Sequence, residues 1–527
     1  MSDKGKIAKA AGVMSVATFI SRILGYVKDM ILAGLFGASG AADVFFVAFR
    51  IPNLLRELFA EGSMSSAFVP VLTEYRTKHG ENEAKKLVSS TFIFILIFVG
   101  LICVLGIIFA PAIVSVIAPG FLKYPDKFAD TVLLARIMFP FLLFTSLAAL
   151  AMGALNTKKV FFIPALAPAL LNIVTIICVI TLSSQFTNPI ISVAIGVTAG
   201  GLVQFLFQLP SFFKQGYFLF GSRNSSPSFW HPGLKRIGML IVPATAGMAV
   251  SQINIFISTI LASYLVTGSI TYLYYSMRLV QFPIGIFGVA MGMAVLPSLS
   301  EHAVRGEMDK LKEDFSFALR LLFFITVPAM TGLIALKVPI VATLFQRGMF
   351  GSDATAGTSD ALMFYSFGIW AVVGIRVITA TFYSMQDTRT PVKIAAAGML
   401  INILLSFLLM GPMKHSGLAF ANAIASCCNF MLLYYFLKKK IGSLGTKRIV
   451  TSFTKILIAS AIMGYAGWAA SGSGIWTMSG HSLQKAAYLG GTMTFSIAIY
   501  AFVAYLLKSE EMTYILEKLK KRFAGSR

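Results

Sequence analysis

Charged residues are scarce in this chain of 527 residues, and their scarcity excludes an ordinary soluble domain. Asp, Glu, Lys and Arg make up 12% of the sequence, whereas about a quarter of a soluble protein consists of these four types. Apolar residues make up 57% and the mean hydropathy is +0.81. Apolar runs such as 92–109 and 237–250 recur along the chain, and with their flanks each can cross about 30 Å of hydrocarbon. The sequence therefore predicts an all-α polytopic membrane protein.

The groups needed for common enzyme chemistry are also missing. No Gly-x-x-x-x-Gly-Lys-Ser/Thr loop is present, so we expect no nucleotide hydrolysis. The four cysteines lie in apolar runs and the five histidines lie in loops or at span ends, which predicts neither disulfides nor a metal site. No serine or cysteine has an evident base partner. We therefore expect a transporter without a cofactor rather than an enzyme.

Segmentation of the apolar runs predicts about fourteen membrane spans. They lie near 11–36, 42–72, 88–118, 129–155, 160–184, 188–213, 234–266, 270–300, 314–345, 358–386, 390–412, 416–437, 449–471 and 484–507. If the amino terminus is cytoplasmic, the outer loops hold only Lys123, Lys127, Arg347, Lys414 and Lys485. All other loop lysines and arginines then lie inside, as the positive-inside rule requires. Both termini are predicted to be cytoplasmic, and the net charge of +23 reflects this topology and attraction to anionic lipid rather than nucleic-acid binding.

The chain contains an internal repeat. Residues 43–50 align with 271–278, residues 110–114 with 338–342, and residues 154–159 with 384–389. An even number of spans separates equivalent points, so two parallel six-helix lobes are expected around a central cavity. The predicted division is an N-terminal lobe at 1–217, a C-terminal lobe at 218–440, two additional helices at 441–508, and a basic tail at 509–527. The tail is either an amphipathic helix on the inner membrane surface or a solvated segment.

Ionisable residues lie inside the first two apolar segments, where charge is costly. They are Arg22, Lys28, Asp29, Arg50, Arg56, Glu57 and Glu61. The basic members exceed what the neighbouring carboxylates can neutralise, which favours a cationic cavity that binds an anion. Arg278 is the repeat partner of Arg50, and Arg376 lies in the middle of the tenth span. Arginine forks match phosphate oxygens, so a pyrophosphate-bearing ligand fits this set.

Structural explanations compete with this interpretation. Some of the cations can instead pair with Asp29, Glu57 or Glu61, or extend to a membrane interface. This alternative has the most weight for Arg50, Arg136 and Arg320. Asp43 begins the second span, where a carboxylate also serves as a helix N-cap.

Three segments of the first part of the chain are distinctive, namely Ser21-Arg22-Ile-Leu-Gly-Tyr-Val-Lys28-Asp29, 42–56 and Phe59–Pro70. They resemble the MurJ/MviN family of bacterial lipid II flippases, within the multidrug/oligosaccharidyl-lipid/polysaccharide exporter superfamily. The likeness continues through 156–168, Tyr274–Pro283 and Phe382–Asp387, and covers essentially the whole chain. The resemblance implies transport of undecaprenyl-pyrophosphate-linked disaccharide pentapeptide, called lipid II, from the inner to the outer leaflet.

The resemblance also implies site residues and partners. The positions that match those important in the family are Arg22, Lys28, Asp29, Asp43, Asn53, Arg56, Thr271, Arg278 and Arg376. The additional helices at 441–508 resemble those that form a groove for the lipid tail. Besides lipid II and membrane lipids, transient contact with cell-wall synthesis enzymes is implied, and a two-lobed monomer can form the cavity alone.

The sequence departs from the family pattern at two positions. Lys28 replaces the usual arginine, which keeps the charge but loses the bidentate fork. Gln281 replaces a glutamate found in some members, and the seventh, eleventh and twelfth spans contain no Asp or Glu. A carboxylate-built sodium site in the second lobe therefore has little support, and the source of energy stays open between membrane potential and ions.

Three other functions remain open. A flippase for another undecaprenyl-linked glycan would share the fold and the pyrophosphate site. A cation-coupled drug exporter of the same superfamily would need acidic residues in its cavity, whereas this chain has a basic excess. A scaffold for cell-wall enzymes would not require charges in the middle of the membrane. Alternating access by the two lobes is the expected mechanism.

Overall fold

A computed structural model of the protein describes residues 3–58, 63–221, 231–478 and 480–524. All regular structure in these ranges is helical. By packing, the chain divides into two compact units, 1–267 and 268–527.

The first unit contains ten α-helices. They are α1 (Asp3–Phe36), α2 (Gly40–Arg56), α3 (Ser63–Lys78), α4 (Gly80–Ile108), α5 (Ala110–Ile117), α6 (Pro125–Thr157), α7 (Phe162–Leu182), α8 (Ile191–Leu206), α9 (Leu209–Lys214) and α10 (Pro232–Ser263). Helix α6 packs against α2, α4 and α8, while α1 packs against α7 and α10 packs against α3. The side chains of Phe68, Leu87 and Leu142 are fully buried in the core that α3, α4 and α6 share.

The second unit also contains ten α-helices. They are α11 (Ser269–Pro283), α12 (Val289–Arg305), α13 (Met308–Ala335), α14 (Lys337–Phe345), α15 (Ser352–Ser366), α16 (Ile369–Ser384), α17 (Arg389–Ile441), α18 (Thr446–Ala470), α19 (Ser482–Leu506) and α20 (Glu510–Ala524). A π-helical turn, Ile284–Gly288, joins α11 to α12. Helix α18 packs against α13 and α19. Packing places α10 in the first unit, which ends at residue 267. This division by packing does not test the predicted lobe boundary at 217/218, which stays a prediction.

Nine helical segments in the described ranges are long and apolar enough to cross a membrane. One of them, α17, covers two of the predicted spans, and each of the other eight covers one. The remaining predicted spans are those near 11–36, 42–72, 234–266 and 270–300, and they carry eight of the nine candidate site residues. In two of them each helix is shorter than a full span, since α2, α3, α11 and α12 have 17, 16, 15 and 17 residues. The multi-pass architecture is confirmed, and the number fourteen stays a prediction.

Helix α17 is broken where the sequence predicts a loop between two spans. Lys414 has φ 52° and ψ −132°, a conformation that no α-helix contains. Close packing follows the break, because a Cβ atom on Gly417 would lie 2.3 Å from the carbonyl oxygen of Leu409. A side chain at Gly417 would thus force the two parts of the helix apart.

Local features of the predicted repeat recur in both units. Helix α5 follows α4 after a break at Phe109, and α14 follows α13 after a break at Leu336. Two positions beyond the ends of α6 and α16, Lys159 has φ 61° and Gln386 has φ 59°. This equivalence pairs Lys159 with Gln386 rather than with Arg389, so the third sequence match is displaced by three residues.

Candidate functional site

Helix α1 carries three of the predicted site residues. The carboxylate of Asp29 is buried, and its Oδ1 atom lies 3.8 Å from Lys28 Nζ. Arg22 is exposed, and no ion pair to it is found in the described part of the chain. Asn172 on α7 donates a hydrogen bond of 3.3 Å to the carbonyl oxygen of Ser21, which fixes the turn of α1 that bears Arg22. Arg22 is therefore an exposed residue on a helix that Asn172 contacts one position away.

Asn53 and Arg56 on α2 belong to one polar network. Arg56 Nε donates to Asn53 Oδ1 over 3.1 Å, and Asn53 Nδ2 donates to Glu57 Oε1 over 2.9 Å. Gln252 on α10 donates to the other Glu57 oxygen over 2.6 Å. The network orients the Arg56 guanidinium and links α2 to α10. The sequence prediction missed Gln252, although an amide inside an apolar span is a signal that could have identified it.

Asp43 forms an ion pair that the sequence did not predict. Its side chain is 1% exposed, and Oδ2 lies 3.2 Å from Lys127 Nζ, which also lies 4.3 Å from the ring centre of Phe121. The N-cap of α2 is Ser39, whose side chain accepts a hydrogen bond from the Ala42 amide over 3.4 Å. The N-cap alternative for Asp43 is therefore wrong, and its carboxylate fastens α2 to α6.

Two predicted site residues lie on α11 in the second unit. The side chain of Thr271 is fully buried, and Arg278 is half-buried about two turns further along the helix. Between them, Ser276 donates a hydrogen bond of 2.7 Å to the carbonyl oxygen of Thr358 on α15. Thr271 is thus fully buried, while the Arg278 residue as a whole is half-buried.

Arg376 lies on α16 beside the π-helical turn. Its side chain is exposed, and a Cβ atom on Gly288 would lie 3.2 Å from Arg376 Cδ. Glycine at this position leaves room for the aliphatic stem of the arginine. Across the ranges that the structure describes, no carboxylate pairs with Arg376.

The other intramembrane arginines have different roles. Arg320 is 4% exposed and binds two carboxylates, Glu510 and Glu511, at 2.6 and 2.8 Å. Arg136 Nε donates to the carbonyl oxygen of Ile107 over 3.2 Å. Arg320 thus has a structural ion pair, but with carboxylates that the sequence analysis did not name, whereas Glu61 lies outside the described residues.

The predicted site cations fall into two local groups, one within each compact unit. Within the first unit, Lys28 is paired with Asp29, Arg56 is oriented by Asn53, and Arg22 is exposed. Within the second unit, Arg278 and Arg376 lie on α11 and α16. No cluster of His, Cys, Asp and Glu in the searched, described residues could hold a metal ion. The chemistry of both groups suits binding of an anion, and their assignment to a transport site stays a prediction.

Comparison with known proteins gives this chain a family. The family model described as "Lipid II flippase MurJ" matches residues 32–484. A Vibrio cholerae protein described as a probable lipid II flippase MurJ is 36% identical over 510 residues, which cover 95% of this chain and 96% of that protein.

Solved structures agree with the sequence comparison. A structure described as lipid II flippase MurJ in an inward closed conformation matches with a TM-score of 0.76 and 28% identity, over 94% of this chain and 98% of that one. An inward-facing multidrug resistance MATE transporter of the MOP superfamily matches with a TM-score of 0.68 and 15% identity, over 83% and 99%. The second match shows a shared fold alone. From the family model and the full-length relative, this chain belongs to the lipid II flippase MurJ family.

Proposed function

We propose that this protein moves lipid II from the inner to the outer leaflet of a bacterial cytoplasmic membrane. The observation that carries the proposal is the match of residues 32–484 to the lipid II flippase family. The basic excess in the first two helices supports it, because the undecaprenyl-pyrophosphate group of lipid II is anionic. The MATE likeness shows only a fold and does not favour drug export.

Binding of the pyrophosphate begins with the cations of the first unit. Arg22 is exposed without an ion pair among the described residues, and a guanidinium can contact two phosphate oxygens at once. Arg56 is oriented by its hydrogen bond to Asn53. Its side chain therefore loses less conformational entropy when the ligand binds. Lys28 adds a point charge next to Asp29. Asp43 and Thr271 support helices α2 and α11 from buried positions.

In the proposed cycle, two lobes at 1–217 and 218–440 alternate in opening a central cavity to each side. Arg278 and Arg376 contribute cations from the second lobe. The helices at 441–508 hold the lipid tail, both termini lie in the cytoplasm, and the protein acts as a monomer that contacts cell-wall enzymes transiently. Release of the head group outside leaves a cationic cavity that returns inward.

Complementation of a strain depleted of its lipid II flippase tests this function. We expect the wild-type protein to restore growth, and Arg22→Ala, Arg56→Ala and Arg278→Ala to lose at least tenfold in plating efficiency. Each variant removes a charge-assisted contact to phosphate. Arg305→Ala is the matched control, because Arg305 is exposed at the end of α12 and pairs only with Glu301 in the described residues, at 2.6 Å.

Membrane levels of every variant must be equal for the comparison to hold. Growth restored by all three site variants would overturn the cationic site but leave lipid II transport standing. Failure of a well-inserted wild-type protein to restore growth would overturn lipid II as the substrate.

A further inference from the structure

A pocket of about 550 Å³ lies where α17, α18 and α20 meet. Its lining includes four basic side chains, namely Lys438, Lys447, Arg448 and Lys455. Helix α18 is apolar enough to cross a membrane and begins at Thr446. The pocket therefore lies where a span meets the aqueous phase, and its volume is within the range of small-molecule sites.

The two carboxylates of the pocket are already neutralised. Glu510 accepts hydrogen bonds from Arg448 Nη2 and Arg320 Nη1, both over 2.6 Å. The hydrogen bond from Arg448 has the larger effect, and together with the bond from Arg320 it holds the pKa of the Glu510 carboxyl below its ordinary value. Glu511 accepts from Arg320 over 2.8 Å and from Ser452 over 2.9 Å. The two positive charges of Arg320 and Arg448 balance the two carboxylates, so the carboxylates do not neutralise the lysines of the pocket.

Three lysines of the pocket consequently lack a counter-charge. Lys438 and Lys447 are exposed and form no ion pair within the described ranges. Lys455 donates to the carbonyl oxygen of Lys508 over 3.3 Å and pairs with no carboxylate among the described residues. Three ammonium groups around one cavity repel one another, and an anion between them would remove that repulsion.

The remaining lining groups suit phosphate oxygens. Ser443 and Thr451 contribute hydroxyl groups that can donate hydrogen bonds. The N-cap of α18 is Gly445, which has φ 68° and no side chain to satisfy the first amides of the helix. Those amides are further hydrogen-bond donors at the end of the helix that lines the pocket.

We propose that the pocket formed by α17, α18 and α20 binds a phosphate-bearing anion at the membrane surface, either the headgroup of an anionic phospholipid or free phosphate. The site is separate from the nine residues assigned to lipid II. It does not depend on which substrate the protein transports.

The test measures the thermal unfolding midpoint of the full-length protein in a neutral detergent. Dihexanoyl phosphatidylglycerol, dihexanoyl phosphatidylcholine and inorganic phosphate are titrated separately at constant ionic strength. A ligand that binds only the folded state stabilises it by RT ln(1 + c/Kd), where c is the ligand concentration, so the midpoint rises with ligand concentration and with affinity. We expect phosphatidylglycerol to raise it and zwitterionic phosphatidylcholine to leave it unchanged. An equal rise with inorganic phosphate would support the site and identify the anion as soluble.

Variants locate the effect. The triple variant Lys438→Gln, Lys447→Gln, Lys455→Gln should weaken the apparent affinity at least tenfold, and the three Lys→Arg substitutions should retain it. The matched control is Lys214→Gln, Lys393→Gln, Lys439→Gln, which removes three exposed lysines outside the pocket. If the triple variant does not fold, Lys447→Gln alone should weaken binding about threefold. The absence of any shift in the wild type, or an equal shift in pocket and control variants, would overturn the proposal.

Discussion

At the scale of single residues, the buried charges are explained by partners far along the chain. Asp43 is 1% exposed, and its cation comes from Lys127, 84 positions away. A carboxylate removed from water without a cation costs several kcal/mol, so the ion pair determines which residues can occupy position 127.

Replacing Lys127 should therefore destabilise the first unit. We expect Lys127→Met to lower the free energy of unfolding by about 2 kcal/mol, because Asp43 is left buried without its cation. Lys127→Arg should keep most of the stability. The measurement is the unfolding midpoint in detergent, with Lys123→Met as an exposed control. Equal midpoints for Lys127→Met and the control would show that the pair contributes nothing.

The sequence identified charged positions but not the contacts between them. Lys28 and Asp29 are adjacent, and Asn53 and Arg56 are one helical turn apart, so helix geometry alone predicts their proximity. Gln252 lies 195 positions from Glu57, and only the packing of α10 brings the two together. Long-range partners depend on tertiary structure, which periodicity in a single sequence does not encode.

At the scale of elements, helix α20 is an anchored part of the second unit. Arg320 on α13 binds Glu510 and Glu511, and Ser452 on α18 also donates to Glu511. The ring of Tyr514 meets that of Phe317 edge-on, with 5.0 Å between ring centres. The tail helix thereby supplies the carboxylates that neutralise a buried arginine.

Loss of those carboxylates should weaken the packing of α13. We expect Glu511→Gln to lower the free energy of unfolding by about 3 kcal/mol, since both Arg320 and Glu511 are almost fully buried. Glu517→Gln, on an exposed part of α20, is the matched control. Unfolding midpoints in detergent provide the comparison. A variant as stable as the control would mean that Glu510 alone satisfies Arg320.

The sequence predicted a helix as one of two possibilities for this tail. The structure gives a helix over Glu510–Ala524, with Ile515 and Leu516 half-buried, while the side chains of Leu519 and Phe523 lie outside the described set. The ion pairs with Arg320 were not predicted, because the sequence alone does not distinguish a buried carboxylate after the last span from a solvent-exposed one. A position on the inner membrane surface stays a prediction.

At the scale of the whole molecule, hydropathy was sufficient for the architecture. In lipid, an apolar run can form all its backbone hydrogen bonds internally only as a helix. The multi-pass helical fold therefore followed from the long apolar runs of the sequence. The count of spans was harder, because α2, α3, α11 and α12 are each shorter than a full span and α1 contains charged residues. The relative motion of two lobes is absent from any single-sequence pattern.

The intramembrane cations lead to a prediction about the energy source of the protein. Intramembrane cations that move through the field exchange about 2.3 kcal/mol per charge for each 100 mV. We expect an inside-negative potential to accelerate lipid II flipping severalfold in reconstituted vesicles, because it favours return of the emptied cationic cavity. A potassium gradient with valinomycin sets the potential, and vesicles without a gradient are the control. A lipid II flipping rate that does not change with the membrane potential would exclude this coupling.

The packing of α10 bears on how such a chain could arise by gene duplication. The repeated segment comprises six spans, yet the first compact unit extends to residue 267 and includes α10, the seventh helix in the predicted span order. Gln252 of that helix binds Glu57, and the helix packs on α3. An ancestor with a single copy of the repeat would lack this covering helix. The equivalent helix of a second molecule would have to pack in its place. Dimerisation would then precede fusion, and α10 would preserve in one chain what was once a contact between two.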